Sequence, residues 1–310
     1  MSANVGVVFA STGGNKLVRT IRSFRKAEPD LPIHVVIDVE SRTWRSSVDS
    51  KDILDYLFAQ PNVKVDTYRD NTNHWINGTL NAAMGWMKEI GYSHACLFHD
   101  DLVFSPLKEN RYHVSEWFKR LVTWDRLGVA SALSFSCMET FAKNPGTVEG
   151  QPGNWTRSPA EWDSMDLESE ELWNKLLPGG KPVGYFGIEK PVGKVDFDTW
   201  FIHCYGVEKV RLATRLGPTG QIIPITAWEK VGKFDEKEGL VYDLDYPVAA
   251  ILAGLNPVLY IPNVPHLHLH NQSIGFSDPS TGIWSNCIES FIRYHGWSPT
   301  EFWKEQGIIG

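Results

Sequence analysis

The sequence predicts an α/β protein with a mostly parallel central sheet flanked by helices, a loop-rich insertion and a C-terminal helical tail. Three observations predict it. Over about the first 100 residues, apolar runs of strand length alternate with amphipathic stretches of helical period. Between Ser136 and Lys194 that regularity gives way to segments rich in Pro and Gly. Beyond them, strand and helix signals resume and end in two short helical stretches. Repeated strand and helix units imply parallel strands, because a parallel pair needs a long crossover and a helix supplies it.

The elements follow in order. "VGVVFAS" (Val5 to Ser11) reads as a buried strand, and "GNKLVRTIRSFRKAE" as a helix with Leu17, Ile21 and Phe24 on one face. "LPIHVVIDVE" is the next strand, "KDILDYLFAQ" a helix and "NVKVDTYRD" a strand. "NGTLNAAMGWMKEIGY" is a helix opened by Asn77 and closed by Gly91, and "HACLFHDD" is a strand. The stretch from Ser136 to Lys194 contains one acidic helix candidate, Ser164 to Leu177. "KVDFDTWFIHCYGV" and "GQIIPITAWEKVGKFDE" both read as strand-like. A helix from about Tyr246 to Ala253, the strand "PVLYIP" and two tail helices split at Gly296 to Pro299 complete the chain. The expected organisation is a ligand-binding half over 1–135, the insertion over 136–193, a catalytic half of the same domain over 194–273, and the helical tail over 274–310.

Composition narrows the function classes. The 310 residues are 42% hydrophobic and 22% charged, which is ordinary for a soluble globular chain. Acidic residues outnumber basic ones, 37 to 30, and no basic run offers an electrostatic grip on nucleic acid. The four cysteines match no C-x-x-C spacing and read as reduced structural thiols. With no signal-peptide pattern and no apolar stretch near the ~18 residues of a membrane span, the expectation is a cytoplasmic protein without stable membrane insertion. Thirteen tryptophans are unusual, and Trp155, Trp162 and Trp173 fall in polar sequence where an indole face suits a sugar ring.

Ligands of open parallel sheets bind beyond the carboxyl ends of the strands. The residues there are Ala10, Ser11 and Thr12, then Asp38, Arg69 to Asn71, and His99, Asp100 and Asp101. "STGGNK" lacks both nucleotide-binding glycine patterns and reads as a plain strand-to-helix turn. Adjacent carboxylates at the end of a buried strand repel unless something positive sits between them. Two further groups join them. In "VYDLDYP", strand-like alternation puts Asp243 and Asp245 on one side. In "PHLHLHNQ", His266, His268 and His270 face one way if the segment is extended. Carboxylates with one or two imidazoles suit Mg²⁺ or Mn²⁺, while a triple-His face could supply zinc. The expectation is therefore a metal ion carrying a diphosphate between the carboxylates.

The order of these signals resembles the inverting, nucleotide-sugar-dependent glycosyltransferases of the GT-A (Rossmann-like) fold, family 2 type. Four segments carry the likeness: "PIHVVIDVE", "NGTLNAAMGWMKEIGYSHACLFHDDLVFSP", "AWEKVGKFDEKEGLVYDLDYPVAAILAGLNPVLYIP" and "HLHLHNQS". The resemblance implies that Asp38 meets the nucleobase, and that His99, Asp100 and Asp101 occupy the three positions of a D-x-D motif. Asp101 is then the metal-binding member and His99 stands where an acid is usual. It further implies Asp243 as catalytic base with Asp245 beside it, and a histidine segment, His268 and His270, closing on the metal or diphosphate. Ala10, Ser11, Thr12, Arg69, Asp70, Asn81 and Asp100 complete the expected donor-binding set. The implied reaction moves a hexosyl or pentosyl group from UDP- or another NDP-sugar to an acceptor hydroxyl on a glycan, a protein or a modified nucleobase. The alternatives are a carbohydrate-binding or scaffold protein on a decayed transferase fold, and a metal-dependent nucleotidyltransferase or phosphohydrolase.

Overall fold

The computed structural model describes residues 4–41, 44–45, 50–69, 75–123, 133–135, 166–176, 211–213, 220–235, 242–255, 258–261, 266–269 and 287–307. Strand β1 (Val5–Ser11) leads into helix α1 (Asn15–Ala27), followed by β2 (Ile33–Asp38), α2 (Ser50–Ala59), β3 (Val63–Tyr68), α3 (Trp75–Ile90) and β4 (His94–His99). Then come β5 (Leu102–Phe104), α4 (His113–Thr123), β6 (Leu133–Phe135), α5 (Glu170–Leu176), β7 (Arg211–Ala213), β8 (Gln221–Pro224) and α6 (Ile225–Val231). The last elements are α7 (Tyr242–Leu252), β9 (Val258–Ile261), β10 (His266–His268), α8 (Cys287–His295) and α9 (Pro299–Glu305).

Eight strands form one sheet in the order β3-β2-β1-β4-β8-β6-β9-β7. The first four are mutually parallel, and the pair β6 and β9 is parallel too. β8 runs antiparallel between β4 and β6, and β7 antiparallel at the far edge. A mostly parallel sheet is covered on both faces, which is why its inner strands β1, β2 and β4 are largely buried apolar runs, while the edge strand β3 alternates and is partly exposed. Val7 and Phe9 of β1 enter one cluster with Leu17, Ile21 and Phe24 of α1 and Ile53 and Leu57 of α2. Val8 and Ala10 enter the other with Leu80, Met84 and Met87 of α3 and Trp228 of α6. At Gly6 a Cβ would lie 2.4 Å from the Met87 sulfur, so the close seating of α3 on β1 requires glycine there.

The elements of the first hundred residues match the sequence expectation to within two or three residues, and the two tail helices lie where the Gly296 to Pro299 break places them. Two expectations are corrected. "GQIIPITAWEKVGKFDE" is a strand only as far as Pro224, and α6 follows at once. Proline has no N–H to continue the ladder, and the helix turns Trp228 into the second cluster. "VYDLDYP" is not extended: α7 begins at Tyr242, so positions 243 and 245 lie in its first turn, about 200° apart around the axis. The expected shared face of Asp243 and Asp245 is thereby lost. A D-x-D triplet is too short to distinguish a strand from the start of a helix, where carboxylates are favoured. The expected strand in "KVDFDTWFIHCYGV", most of the insertion, Trp155 and Trp162 lie outside the described residues. Trp173 is fully buried and donates its indole N–H to the Leu167 carbonyl at 2.8 Å, so it packs the interior and offers no sugar platform.

Candidate functional site

The carboxyl ends of β1 and β4 lie side by side because the two strands pair in parallel with Ala10 beside His99. A cleft opens just beyond them. Ala10, Ser11 and Thr12 line it from β1, His99, Asp100 and Asp101 from β4, and Ile76 and Thr79 from the first turns of α3. Six of these residues were expected from strand-end placement. Ile76 and Thr79 were not, although their place at the start of a crossover helix was legible.

Asp100 and Asp101 have unlike surroundings. The Asp100 side chain is 7% exposed, and its Oδ1 lies 2.8 Å from the Lys16 ammonium in the first turn of α1. Its Oδ2 accepts hydrogen bonds from the Ser11 hydroxyl at 2.5 Å and the Thr12 N–H at 3.1 Å. Burial raises the Asp100 carboxyl above its ordinary value; Lys16 opposes the rise and Asp101 adds to it. The positive group beside Asp100 is therefore an internal lysine, where the sequence led us to expect a metal ion between the two carboxylates. Asp101 is only partly buried, and its carbonyl accepts from the Leu269 N–H at 2.8 Å.

A polar stripe on α1 holds this arrangement from below. Lys16, Thr20 and Ser23 are spaced four and three apart and share one face. The Thr20 hydroxyl lies 2.8 Å from the Asp100 carbonyl and 2.7 Å from the Leu102 carbonyl, and the Leu102 N–H donates to it at 3.1 Å. The Phe104 N–H donates to the Ser23 hydroxyl at 3.1 Å. Sequence reasoning missed all three residues, because the helix was read only for its apolar face. The adjoining i, i+4, i+7 polar face was the available signal.

The turn between β1 and α1 is fixed by glycine. Gly13 and Gly14 have φ of +86° and +90°, and a Cβ at Gly13 would lie 2.4 Å from the Trp44 ring. The Gly13 N–H donates to the Ser11 hydroxyl at 2.8 Å, and the Lys16 ammonium donates to the Thr12 hydroxyl at 3.2 Å. This is a strand-to-helix turn, as read from the sequence.

The remaining candidates divide. Asp38 is 4% exposed at the end of β2 and accepts the Glu40 N–H at 3.0 Å. Ser41, just beyond it, donates its hydroxyl to the Thr12 carbonyl at 2.8 Å, which joins the two strand-end loops. Arg69 is exposed beyond β3, and Asp70 lies outside the described residues. Asn81 clamps the backbone of Phe234: its Nδ2 donates to that carbonyl and its Oδ1 accepts that N–H, both at 2.9 Å. Its amide thus ties α3 to the turn after α6. Asn77 does likewise to the Asp235 carbonyl at 2.6 Å.

The histidine segment does reach the acidic one. β10 pairs antiparallel with β5, placing His268 opposite Leu102 and Leu269 against Asp101. His266 is fully buried and stacks on Phe104 with ring centroids 5.4 Å apart, which makes it a core residue. Position 268 is at the site by register, and His270 lies outside the described residues. Asp245 pairs with His295 of α8 at 2.9 Å, which ties α8 to the start of α7. Among the described residues no three His, Cys, Asp or Glu side chains converge as a metal-binding group. Among the described residues the cleft lining includes two carboxylates, Asp100 and Asp101, and one imidazole, His99, with Asp100 paired to Lys16. Such a sparse set fits Mg²⁺ or Mn²⁺, which take one or two carboxylates and fill the rest of the shell with phosphate and water. It does not fit a closed tetrahedral zinc site.

No protein-family model matches the chain, and no curated protein does either. Solved structures do. GalNAc-T7, crystallised with UDP, GalNAc and Mn²⁺, superposes over 99% of this chain and 50% of its own length, with a TM-score of 0.51 at 11% identity. The fold is that of the GT-A glycosyltransferases. Residues 1–349 of S. aureus TarS superpose over 97% of this chain and 74% of theirs, at 13% identity and a TM-score of 0.46. The TarS complex with UDP gives the same score at 11% identity. In the chain described here the GT-A sheet brings the β1–α1 turn and the His99–Asp101 segment together. Among the described residues no helix is long and apolar enough to cross a membrane.

Proposed function

We propose that the protein is a glycosyltransferase that moves a hexosyl or pentosyl unit from a nucleoside-diphosphate sugar to an acceptor hydroxyl with inversion. The observation that carries this reading is the cleft at the carboxyl ends of β1 and β4 in a GT-A sheet, lined by Ala10, Ser11, Thr12, His99 and Asp101. The donor's nucleoside lies along the ends of β1 and β2, near Thr12 and Asp38, with Arg69 toward the edge of the sheet. Asp101 and His99 would hold Mg²⁺ or Mn²⁺, with His268 and His270 as the further candidate ligands. When bound, such an ion supplies stabilisation of the negative charge that grows on the departing diphosphate.

Asp243 is the general base. It takes the acceptor's hydroxyl proton as that oxygen forms a bond to the anomeric carbon. The bond from that carbon to the diphosphate oxygen breaks on the opposite face, and the electron pair leaves with the nucleoside diphosphate. A positioned base contributes about 10² to 10⁴ in rate. Asp245, held by His295, orients the start of α7 and the tail helices that flank it. The acceptor is a glycan, a protein or a modified nucleobase.

The test is nucleoside diphosphate release from a panel of sugar nucleotides, with anomeric configuration assigned in the product. Inverted glycoside together with intact nucleoside diphosphate supports the reading. Cleavage between the phosphates assigns the cleft to a phosphohydrolase or nucleotidyltransferase instead. No turnover across the panel, with sugar still bound, assigns it to a binding protein.

A further inference from the structure

Strand β3 ends the sheet, and among the described residues no strand lies beyond it. We propose that this edge joins a second copy of the chain: β3 pairs antiparallel with its own counterpart about a twofold axis at Val65, and the protein forms a weak dimer with one sheet running through both copies. The proposal goes beyond the glycosyltransferase reading and does not depend on it.

The pairing with β2 determines which backbone groups of β3 face outward. The Ile33 N–H donates to the Asn62 carbonyl and the Val39 N–H to the Tyr68 carbonyl, both at 3.0 Å, in a register that sets Ile33 beside Val63 and Asp38 beside Tyr68. In a parallel ladder these bonds turn the N–H and C=O groups of the even positions of β3 toward β2. The N–H and C=O groups of Val63, Val65 and Thr67 therefore point away from the sheet. Such a row of donors and acceptors is a template for another strand. Antiparallel pairing centred on Val65 uses all of them, because Val65 then exchanges both bonds with its own copy, and Val63 with the second copy's Thr67. The positions between form pairs without hydrogen bonds, where opposed side chains come closest. Those pairs set Lys64 against the second copy's Asp66, and Asp66 against its Lys64. Both side chains leave the same face of the strand and reach water, 54% and 28% exposed, with the Lys64 ammonium 3.1 Å from Asp66 Oδ2 within one chain. Charge thus selects the register. Centring on position 64 would oppose two lysines and centring on position 66 two aspartates, while centring on Val63 or Thr67 would set much of β3 against residues outside the strand. A lysine on an edge repels stray strands, and here it admits the strand that carries an acid in the facing place. A twofold contact closes on itself, so assembly stops at two copies.

Sedimentation velocity of the full chain over about 1 to 500 µM reads the association. Wild type should pass from monomer to dimer within that range, with a Kd of about 10 to 100 µM for so small a contact. Lys64→Asp and Asp66→Lys each set like charges opposite one another at two places and should weaken self-association about tenfold or more. An equimolar mixture of these two variants restores opposite charges across the seam and should dimerise about as well as wild type, as should the chain carrying both substitutions. Both side chains are at the surface, so thermal stability should stay close to that of wild type. Hydrogen exchange followed by NMR needs no variant: the amides of Val63, Val65 and Thr67 should slow at high protein concentration, while those of Lys64 and Asp66, bonded to β2, are slow at any concentration. A wild type that stays monomeric at about 500 µM overturns the proposal. So does a dimer that survives either single substitution, a mixture that stays monomeric, or outward amides that exchange equally fast at both concentrations, since association would then use another surface. Should a single variant fail to fold, the doubly substituted chain and the exchange pattern decide.

Discussion

Positions 243 and 245 lie in the first turn of α7, about 200° apart around its axis. Asp245 is tied to His295. Asp243→Asn keeps size and most hydrogen bonding while removing basicity. It should lower kcat by about 10² or more and leave donor Kd within a few fold. Asp245→Asn should reduce kcat less, and turnover of both variants checks the assignment. A dead Asp245 variant beside a normal Asp243 variant would exchange their roles. At this scale the sequence was informative wherever a residue's place at a strand end was enough to find it, as with Ala10, Ser11, Thr12 and Asp101. It was silent where identity depends on a distant partner. Nothing near Lys16 announces Asp100, and nothing near Asn81 announces the Phe234 backbone, because both pairings arise only when elements far apart in the chain pack together.

Helix α4 shows how one buried acid can hold an element. Glu28, just past α1 and 1% exposed, accepts the Val114 and Ser115 N–H groups at 2.8 and 3.2 Å and also takes the Ser115 hydroxyl. It caps the N-terminus of α4 from another part of the chain, satisfying donors that a helix start leaves open. Glu28→Ala should therefore cost about 1–3 kcal/mol, read as a lower urea midpoint. Burial raises the Glu28 carboxyl above its ordinary value, against the hydrogen bonds from Ser115 and Val114 that favour the charged form. The folded chain thus holds a proton that the unfolded chain has released, in the window between the ordinary carboxylate range and the raised value. Glu28's contribution is full below that window and declines as pH rises through it. Glu28→Gln should flatten the decline, which urea titrations at stepped pH would show. The clamp between α3 and the turn after α6 gives a companion case. Asn81→Ala strands the N–H and carbonyl of Phe234 and should cost about 2–4 kcal/mol, again read from the urea midpoint. Elements with long, clean periodicity were legible in the sequence: α1 with Leu17, Ile21 and Phe24, and the apolar strands β1, β2 and β4. Short elements beside Pro and acidic residues, α6 and the start of α7, were not, because four to seven residues carry too little period to choose between helix and strand.

The whole molecule is a sheet whose parallel half, β3-β2-β1-β4, carries the strand-end cleft, and whose other half begins with the antiparallel strand β8. Alternating strand and helix signals were enough to foresee the parallel half. The insertion of β8 between β4 and β6 was not foreseeable, since a four-residue apolar strand carries no sign of its direction. In that half α6 lies against α3 and α7 against α6, and Tyr246 and Ala250 of α7 share the second apolar cluster with Leu80 and Met84 of α3. On the proposed function, the strand-end cleft binds a nucleoside diphosphate through a metal held by Asp101. Calorimetric titration of UDP, GDP, ADP and CDP into wild type and Asp101→Ala, each with and without Mn²⁺, tests it most directly. At least one diphosphate should bind the wild type with Mn²⁺ and about tenfold or more weakly without it, and Asp101→Ala, folded to a similar Tm, should lose the Mn²⁺ effect. Equal affinity in the two proteins, with the Mn²⁺ effect intact in the variant, would contradict it.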